Sequence, residues 1–374
     1  MGPSIRLIRI FGIPVEINFS WIFVFLLIIY LLGSQFGHTH PGWPVQQQWG
    51  LAVAIAVLFF SSVLAHELSH SLVAVRSGIP VRGITLFFFG GVSHLGHEAH
   101  RPLTEFWITA VGPASSIALA LVFGGLWYFL REVSSSLEVT FRLLLSINLM
   151  LGIFNMLPGF PLDGGRVLRS VIWGLTGNYW RATQVAVRGG QVIGGLMALG
   201  GASLAVFDFN VFGISGIWMV LIGAFLFSAA TATYRQERDK EGLKSYRVAD
   251  VMSDDLWSLP GETPLESPLV DQGLSQHNDL VMVTLNGRVE GLVTRRLLAK
   301  VPRSAWAYTP LSGAMLSIWS VPWLTPEDNI SEAMERVETG KLDRLAVRWN
   351  GELLGFVSRE DILRFTRRVL RTRR

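Results

Sequence analysis

Six long apolar runs and a change of rhythm organise this chain. The runs are Phe19 to Leu32, Leu51 to Val75, Phe106 to Leu130, Val139 to Leu157, residues 185–206, and Val211 to Ala232. At 1.5 Å per residue, each covers most of a hydrocarbon core as a helix. They predict six membrane helices, the first led by apolar Phe11 to Val15 and Ile17. No small-residue cleavage site follows the first run, so a cleaved signal peptide is not expected. Beyond residue 247 the runs shorten to strand length and a repeat appears. One copy opens Val248-Ala249-Asp250-Val251-Met252 and ends Val289-Glu290-Gly291-Leu292-Val293-Thr294. The other opens near Leu311-Ser312-Gly313-Ala314-Met315 and ends Leu353-Leu354-Gly355-Phe356-Val357-Ser358. Each reads as a short strand, a helix, a strand pair and a closing helix. Asn286-Gly287 and Asn350-Gly351 mark the hairpin turns.

Composition sharpens the division. Residues 1–233 hold 11 of the 32 basic and 8 of the 28 acidic residues. The remainder is more than three times as densely charged. A single soluble domain is excluded, and so is a disordered chain. The expected fold class is a polytopic α-helical membrane domain (1–233), a linker (234–247), and a soluble α+β repeat pair (248–370, with copies at about 248–301 and 309–370). A basic tail, 371–374, follows. The net charge of +4 is small and divides as +3 and +1 between residues 1–233 and 234–374, which argues against a nucleic-acid partner. Cysteine is absent, leaving histidine and carboxylates as the strong metal ligands.

Loop charges set the orientation. Arg6 and Arg9 precede the first run, and residues 33–50 contain no Lys or Arg. Arg76, Arg82 and Arg101 follow the second run; Arg166, Arg169, Arg181 and Arg188 follow the fourth; Arg235, Arg238, Lys240 and Lys244 follow the sixth. This alternation predicts that both termini and the soluble repeats are cytoplasmic. The expected location is the plasma membrane, as a multi-pass protein.

The second run is interrupted by His66-Glu67-Leu68-Ser69-His70. Residues four apart share a helix face, so both imidazoles reach one ion, with Glu67 beside its open position. Ionisable groups inside a span cost roughly 2.5–3.5 kcal/mol each on insertion scales, so three of them need a reason. A third ligand is expected from elsewhere. Asp163 is the only acidic residue from Val139 to Val206, and Pro and Gly break the helix beside it in the segment Asn155–Arg166.

These residues resemble the site-2 protease family of intramembrane zinc metalloproteases. His66 to His70 matches its HExxH motif, although Leu68-Ser69 replaces the more usual aromatic-Gly filling. Asn155 to Arg166, with Leu162-Asp163-Gly164, matches its second signature. Gly112-Pro113, with Ala114, Ser115 and Ser116, resembles a helix-packing motif found there. The resemblance implies one Zn2+ on His66, His70 and Asp163, water activated by Glu67, and an oxyanion stabilised by Asn155. It implies membrane-protein substrates already trimmed by another protease and cut in or near a transmembrane segment.

Ile84, Thr85, Leu86, Phe87, Phe88 and Phe89 have strand composition, and Gly90-Gly91 suit a turn. They read either as an edge that receives substrate as an added strand or as a re-entrant apolar loop. His94, His97 and His100 recur at three-residue intervals and read as an interfacial polar loop rather than a second metal site.

The soluble repeat resembles a pair of CBS domains. That family implies an adenine nucleotide such as ATP or AMP on a Ser/Thr-x-x-Asp motif. Ser358 and Asp361 match; the first copy departs, with Leu297 three residues after Thr294. A homodimerising module without a ligand is the other reading. The arginine-rich end, from Arg364 to Arg374, is expected to be solvated and weakly drawn to the lipid surface.

Overall fold

The computed structural model describes residues 4–88, 90–207, 215–243, 245–254, 256–276, 279–339 and 344–372. The chain divides into two compact units, Met1–Glu237 and Arg238–Arg374.

The first unit opens with a hairpin rather than an apolar lead-in to a helix. Strands β1 (Ser4–Ile10) and β2 (Ile13–Asn18) are antiparallel and joined by Phe11 and Gly12, both at positive φ. Two positive φ values in a two-residue turn match the right-handed twist of the strands. Val15 and Ile13 are buried, while β1 is exposed along nearly its whole length. Asn18 ends β2 and accepts from Ser20 N–H, capping helix α1 (Phe19–Thr39). Helix α2 (Val45–Arg76) returns the chain, so that β3 (Val81–Phe87) pairs parallel to β2. Parallel pairing needs such a crossover, here supplied by two membrane helices. Strand β4 (Gly90–Leu95) closes an antiparallel hairpin on β3, giving the sheet order β1-β2-β3-β4.

This order corrects the free-edge expectation. Ile84, Thr85 and Leu86 pair with Val15, Glu16 and Ile17 on one side, and with Ser93, Val92 and Gly91 on the other. Phe87 pairs with Gly90, and Phe88 N–H donates to Ser20 Oγ at 3.2 Å. Phe89 lies outside the described residues. Both hydrogen-bonding sides of β3 are occupied, so the sheet's outer strands are β1 and β4.

Helices α3 (Pro102–Leu130), α4 (Ser135–Asn155), α5 (Asp163–Thr176), α6 (Tyr179–Val206) and α7 (Gly216–Leu243) follow. Among the described residues, α1, α2, α3, α4, α6 and α7 are long and apolar enough to cross a membrane. They correspond to the six predicted runs, extended at polar ends where helical hydrogen bonding outlasts the apolar stretch, except that α4 stops two residues before Leu157, ahead of the Pro-Gly break; Val211, at the start of the sixth, lies outside the described residues. Helix α5 is the added element. It is short and amphipathic, and Gly177 at φ 68° ends it.

Glycine sets the spacing of α6 and α7. A Cβ at Gly194 would sit 2.7 Å from Gly223 O, and one at Gly201 2.7 Å from Gly216 O. The two backbones therefore touch, as small residues allow in lipid.

The second unit contains the repeat. Strand β5 (Ser258–Pro260), α8 (Pro268–Gln276), β6 (Val281–Leu285), β7 (Arg288–Val293) and α9 (Arg295–Leu298) form the first copy. After α10 (Leu311–Ala314) and β8 (Leu316–Ser317), the second copy comprises β9 (Trp323–Leu324), α11 (Ile330–Thr339), β10 (Arg344–Trp349), β11 (Glu352–Ser358) and α12 (Arg359–Thr372). In both, the first strand pairs parallel with the second, and the second and third form a hairpin. The hairpin turns are Asn286-Gly287 and Asn350-Gly351, all four residues at positive φ. Met282 and Leu292 of one copy share a core with Ala346 and Phe356 of the other. Arg373 and Arg374 of the basic tail lie outside the described residues.

Replacing Gly194 by Val should force α6 from α7 and destabilise the protein by about 1–3 kcal/mol, the usual overpacking cost. Gly195→Ala is the control, because nothing lies within 4 Å of its added methyl. Thermal unfolding in detergent should separate the two variants.

Candidate metal centre

His66 and His70 lie one turn apart on α2 and are buried. Their Nε2 atoms are 3.2 Å apart, and Asp163 Oδ2 lies 3.1 Å from His66 Nε2 and 3.2 Å from His70 Nε2. The three form a nearly equilateral triangle. Tetrahedral zinc with ligands at 2.0–2.1 Å separates its donor atoms by ~3.3 Å, so the triangle matches one face of that tetrahedron. Among the described residues this is the group of His, Asp and Glu side chains whose ligand atoms converge for a metal.

Helix α3 aims the imidazoles. His70 Nδ1 is 2.6 Å from the Ile108 carbonyl, which can only accept, so Nδ1 carries the proton and Nε2 presents a lone pair inward. His66 Nδ1 is 2.9 Å from Ser116 Oγ. Such partners hold metal-binding imidazoles in one tautomer and orientation. Between these two residues, Gly112 faces both rings. A Cβ there would overlap His70 Nε2 and lie 2.9 Å from His66 Nε2.

Asp163 arrives by another route. The segment after α4 folds against α6, where Phe160 N–H donates to Ala186 O at 3.1 Å and the Phe160–Pro161 peptide is cis. Gly159 and Gly190 meet backbone to backbone, and Gly165 packs on Gly159. Side chains at these positions would lift the segment off its support. Asp163 then occupies the first turn of α5, where the helix dipole favours a carboxylate.

Glu67 is held from the sheet. Ser93 Oγ on β4 donates to Glu67 Oε2 at 3.0 Å and accepts from Ser71 Oγ at 3.0 Å. A Cβ on Gly91 would overlap Glu67 Cγ, so β4 lies directly against the carboxylate's stem. Asn155, at the end of α4, donates one amide N–H to Leu151 O at 3.0 Å.

The structure thus brings together His66, His70 and Asp163, with Glu67 adjacent in the chain. Ile108, Ser93 and Gly91 were not apparent as site residues from sequence. Ile108 acts through a backbone carbonyl that any residue carries, and Ser93 matters only because β4 folds over α2. Gly112 and Ser116 had a signal in the Gly-Pro-Ala-Ser-Ser run, though one that indicated packing. His94 Nε2 is 3.0 Å from Thr85 Oγ1, and His97 stacks on His100 with ring centres 5.0 Å apart.

In the second unit, Ser358 and Asp361 engage each other. Ser358 Oγ donates to Asp361 Oδ2 at 2.5 Å, Ser358 N–H donates to the same oxygen, and Asp361 N–H donates back to Ser358 Oγ. This is a capping box on α12. In the first copy Thr294 caps α9, with Leu297 at the corresponding position.

Six candidate membrane spans, an HExxH helix and a converging distant carboxylate define a membrane-embedded zinc metalloprotease. The family model described as peptidase family M50 matches residues 54–134 and 131–197, and that of the CBS domain matches 316–368. Rip3 of Mycobacterium tuberculosis is 34% identical over 369 residues, spanning 97% of this chain and 93% of Rip3. The zinc metalloprotease MJ0392 of Methanocaldococcus jannaschii is 27% identical over 365 residues, spanning 97% of this chain and 96% of that protein. A solved site-2 protease from Methanocaldococcus jannaschii is 29% identical, covering 62% of this chain and 95% of its own, with a TM-score of 0.43. The chain belongs to peptidase family M50, the site-2 proteases, and carries a C-terminal CBS domain.

Gly112→Ala should weaken zinc binding at least ~10-fold, because its methyl would displace the His70 ring that its supporting contacts orient. Alanine favours a helix over glycine by about 1 kcal/mol, so helix content should hold. Zinc titration beside circular dichroism checks both.

Proposed function

We propose that this protein is an intramembrane endopeptidase that cuts membrane-tethered proteins in or near a transmembrane segment, the substrate having first been trimmed by another protease. The observation that carries this reading is the triangle of His66 Nε2, His70 Nε2 and Asp163 Oδ2 beside the tethered carboxylate of Glu67. His66, His70 and Asp163 are the zinc ligands in this reading. Zinc bound there would polarise the scissile carbonyl and lower the pKa of the attacking water. Glu67 takes the water's proton and delivers it to the leaving amide nitrogen. Ser93 keeps the carboxylate aimed during both transfers. The second N–H of the Asn155 amide serves the developing oxyanion.

A helical substrate has its amides satisfied internally, so the scissile segment must unwind and find new partners. Strand β4 supplies them: it is the outer strand nearest the base, and Ser93 and Gly91 tie it to Glu67. Adding the substrate as a fifth strand there would set its register against the carboxylate.

The loop charges support cytoplasmic termini, with the second unit cytoplasmic; a plasma-membrane location is proposed with them. For that unit, an adenine nucleotide is proposed at the second copy. There, Asp361 Oδ2 is committed to the helix cap and Oδ1 is left for a ribose hydroxyl. The CBS pair is also the proposed route to a homodimer.

Glu67→Gln should abolish cleavage of a model membrane substrate while zinc remains bound; surviving activity would remove Glu67 from the mechanism. Proline scanning of 91–94 should reduce cleavage, whereas the same scan of 5–9 on β1 should leave it. Equal effects on the two strands would discard the β4 assignment. Calorimetry with ATP, ADP and AMP should give a heat of binding that Asp361→Ala removes; no heat from any of the three would leave dimerisation as the role of the pair.

A further inference from the structure

Glu105 and Arg169 form a buried ion pair that no step above uses. Glu105 lies in the first turn of α3 and Arg169 in the middle of α5; they are 2% and 6% exposed. Arg169 Nε donates to Glu105 Oε1 at 2.9 Å, and Nη2 donates to the same oxygen. Arg166 Nε approaches that oxygen at 3.8 Å. Arg169 Nη1 donates to Tyr179 OH at 2.7 Å, and Tyr179 OH donates to Glu98 Oε2 at 2.8 Å. The guanidinium also lies over the Phe160 ring, 5.0 Å from its centre.

The position of these contacts points to their use. Glu105, Ile108, Gly112 and Ser116 fall on one stripe of α3, since offsets of 3, 7 and 11 residues return to nearly the same face. Ile108 and Ser116 hold His70 and His66, and Gly112 admits both rings. Glu105 is one turn further along the stripe and holds α5, the helix that begins with Asp163. Arg169 ties that helix to two neighbours, Glu105 on α3 and Phe160 in the segment leading to Asp163. Arg169 lies six residues beyond Asp163, ~9 Å along the axis, too far for contact with a metal.

We propose that the Glu105–Arg169 pair is a positioning device for the third zinc ligand. It fixes the seating of α5 on α3, so that Asp163 Oδ2 meets the two imidazoles that the same stripe orients. The forked guanidinium is needed because one planar group must meet Glu105, Tyr179 and Phe160 together; a lysine ammonium is a point charge. This inference rests on the assignment of His66, His70 and Asp163 as ligands.

The test measures zinc affinity of the full chain in detergent, by competition with a chelator, alongside thermal unfolding of the zinc-free protein. Arg169→Lys keeps the charge and loses the fork; it should weaken zinc binding by about 10–100-fold. In an Asp163→Ala background it should cause little further loss, because its effect passes through Asp163. If Arg169→Lys does not fold, Glu105→Asp, which retracts the carboxylate by one methylene, is read the same way. Wild-type affinity in Arg169→Lys, with Asp163→Ala impaired, would overturn the positioning role and leave the ligand assignment standing. So would an undiminished further loss in the Asp163→Ala background. Wild-type affinity in Asp163→Ala would overturn the ligand assignment, and this inference with it.

Discussion

A polar group inside hydrocarbon must find its partner within the protein, and the candidate metal centre is built around that requirement. Each imidazole has two nitrogens, and burying either without a partner costs about 1–3 kcal/mol. Helix α3 meets the need with groups of different kinds: a backbone carbonyl for His70, a hydroxyl for His66, and a glycine where any side chain would intrude. Satisfying the outer nitrogens turns the inner ones to a common point. Orientation of the site and tolerance of its burial have the same cause.

The remaining architecture brings a distant carboxylate to that point. Asp163 is 93 residues from His70, on a 14-residue helix that is not long and apolar enough to cross a membrane. Its approach depends on contact between backbones, at Gly159 with Gly190 and at Gly165 with Gly159. Glycine weakens a helix, so its density here is a cost to local stability. Close packing in lipid, where no hydrophobic force drives helices together, offsets that cost. The α6–α7 contact at Gly194 and Gly223 follows the same rule.

The sheet places a water-like hydrogen-bonding surface beside the site. Strand β4 is paired on one side, and its Ser93 hydroxyl bonds the Glu67 carboxylate. In the second unit, repetition does the organising. Two copies with the same pairing order share one apolar seam, and the Ser358–Asp361 pair caps the start of α12.

Periodicity and local chemistry made much of this legible from the chain alone. Six apolar runs specify helices because hydrocarbon permits no other open backbone, and the spacing of His66 and His70 specifies a shared helix face. Asn286-Gly287 and Asn350-Gly351 specify hairpins because few residues adopt two successive positive φ values. Asp163 stood out because an acidic residue among broken apolar helices needs a reason. The sequence did not disclose that β3 is an inner strand, since the residues that cover its far side, Val15 to Ile17, lie two membrane helices earlier and resemble the start of a span. Nor did it disclose Ser93, the Ile108 carbonyl, or Glu105 and Arg169 as supports of the site. Element type follows from the residues within one segment, which the chain states directly. Strand order, tautomer and the seating of α5 depend on which surfaces meet, and only the packed tertiary structure decides that.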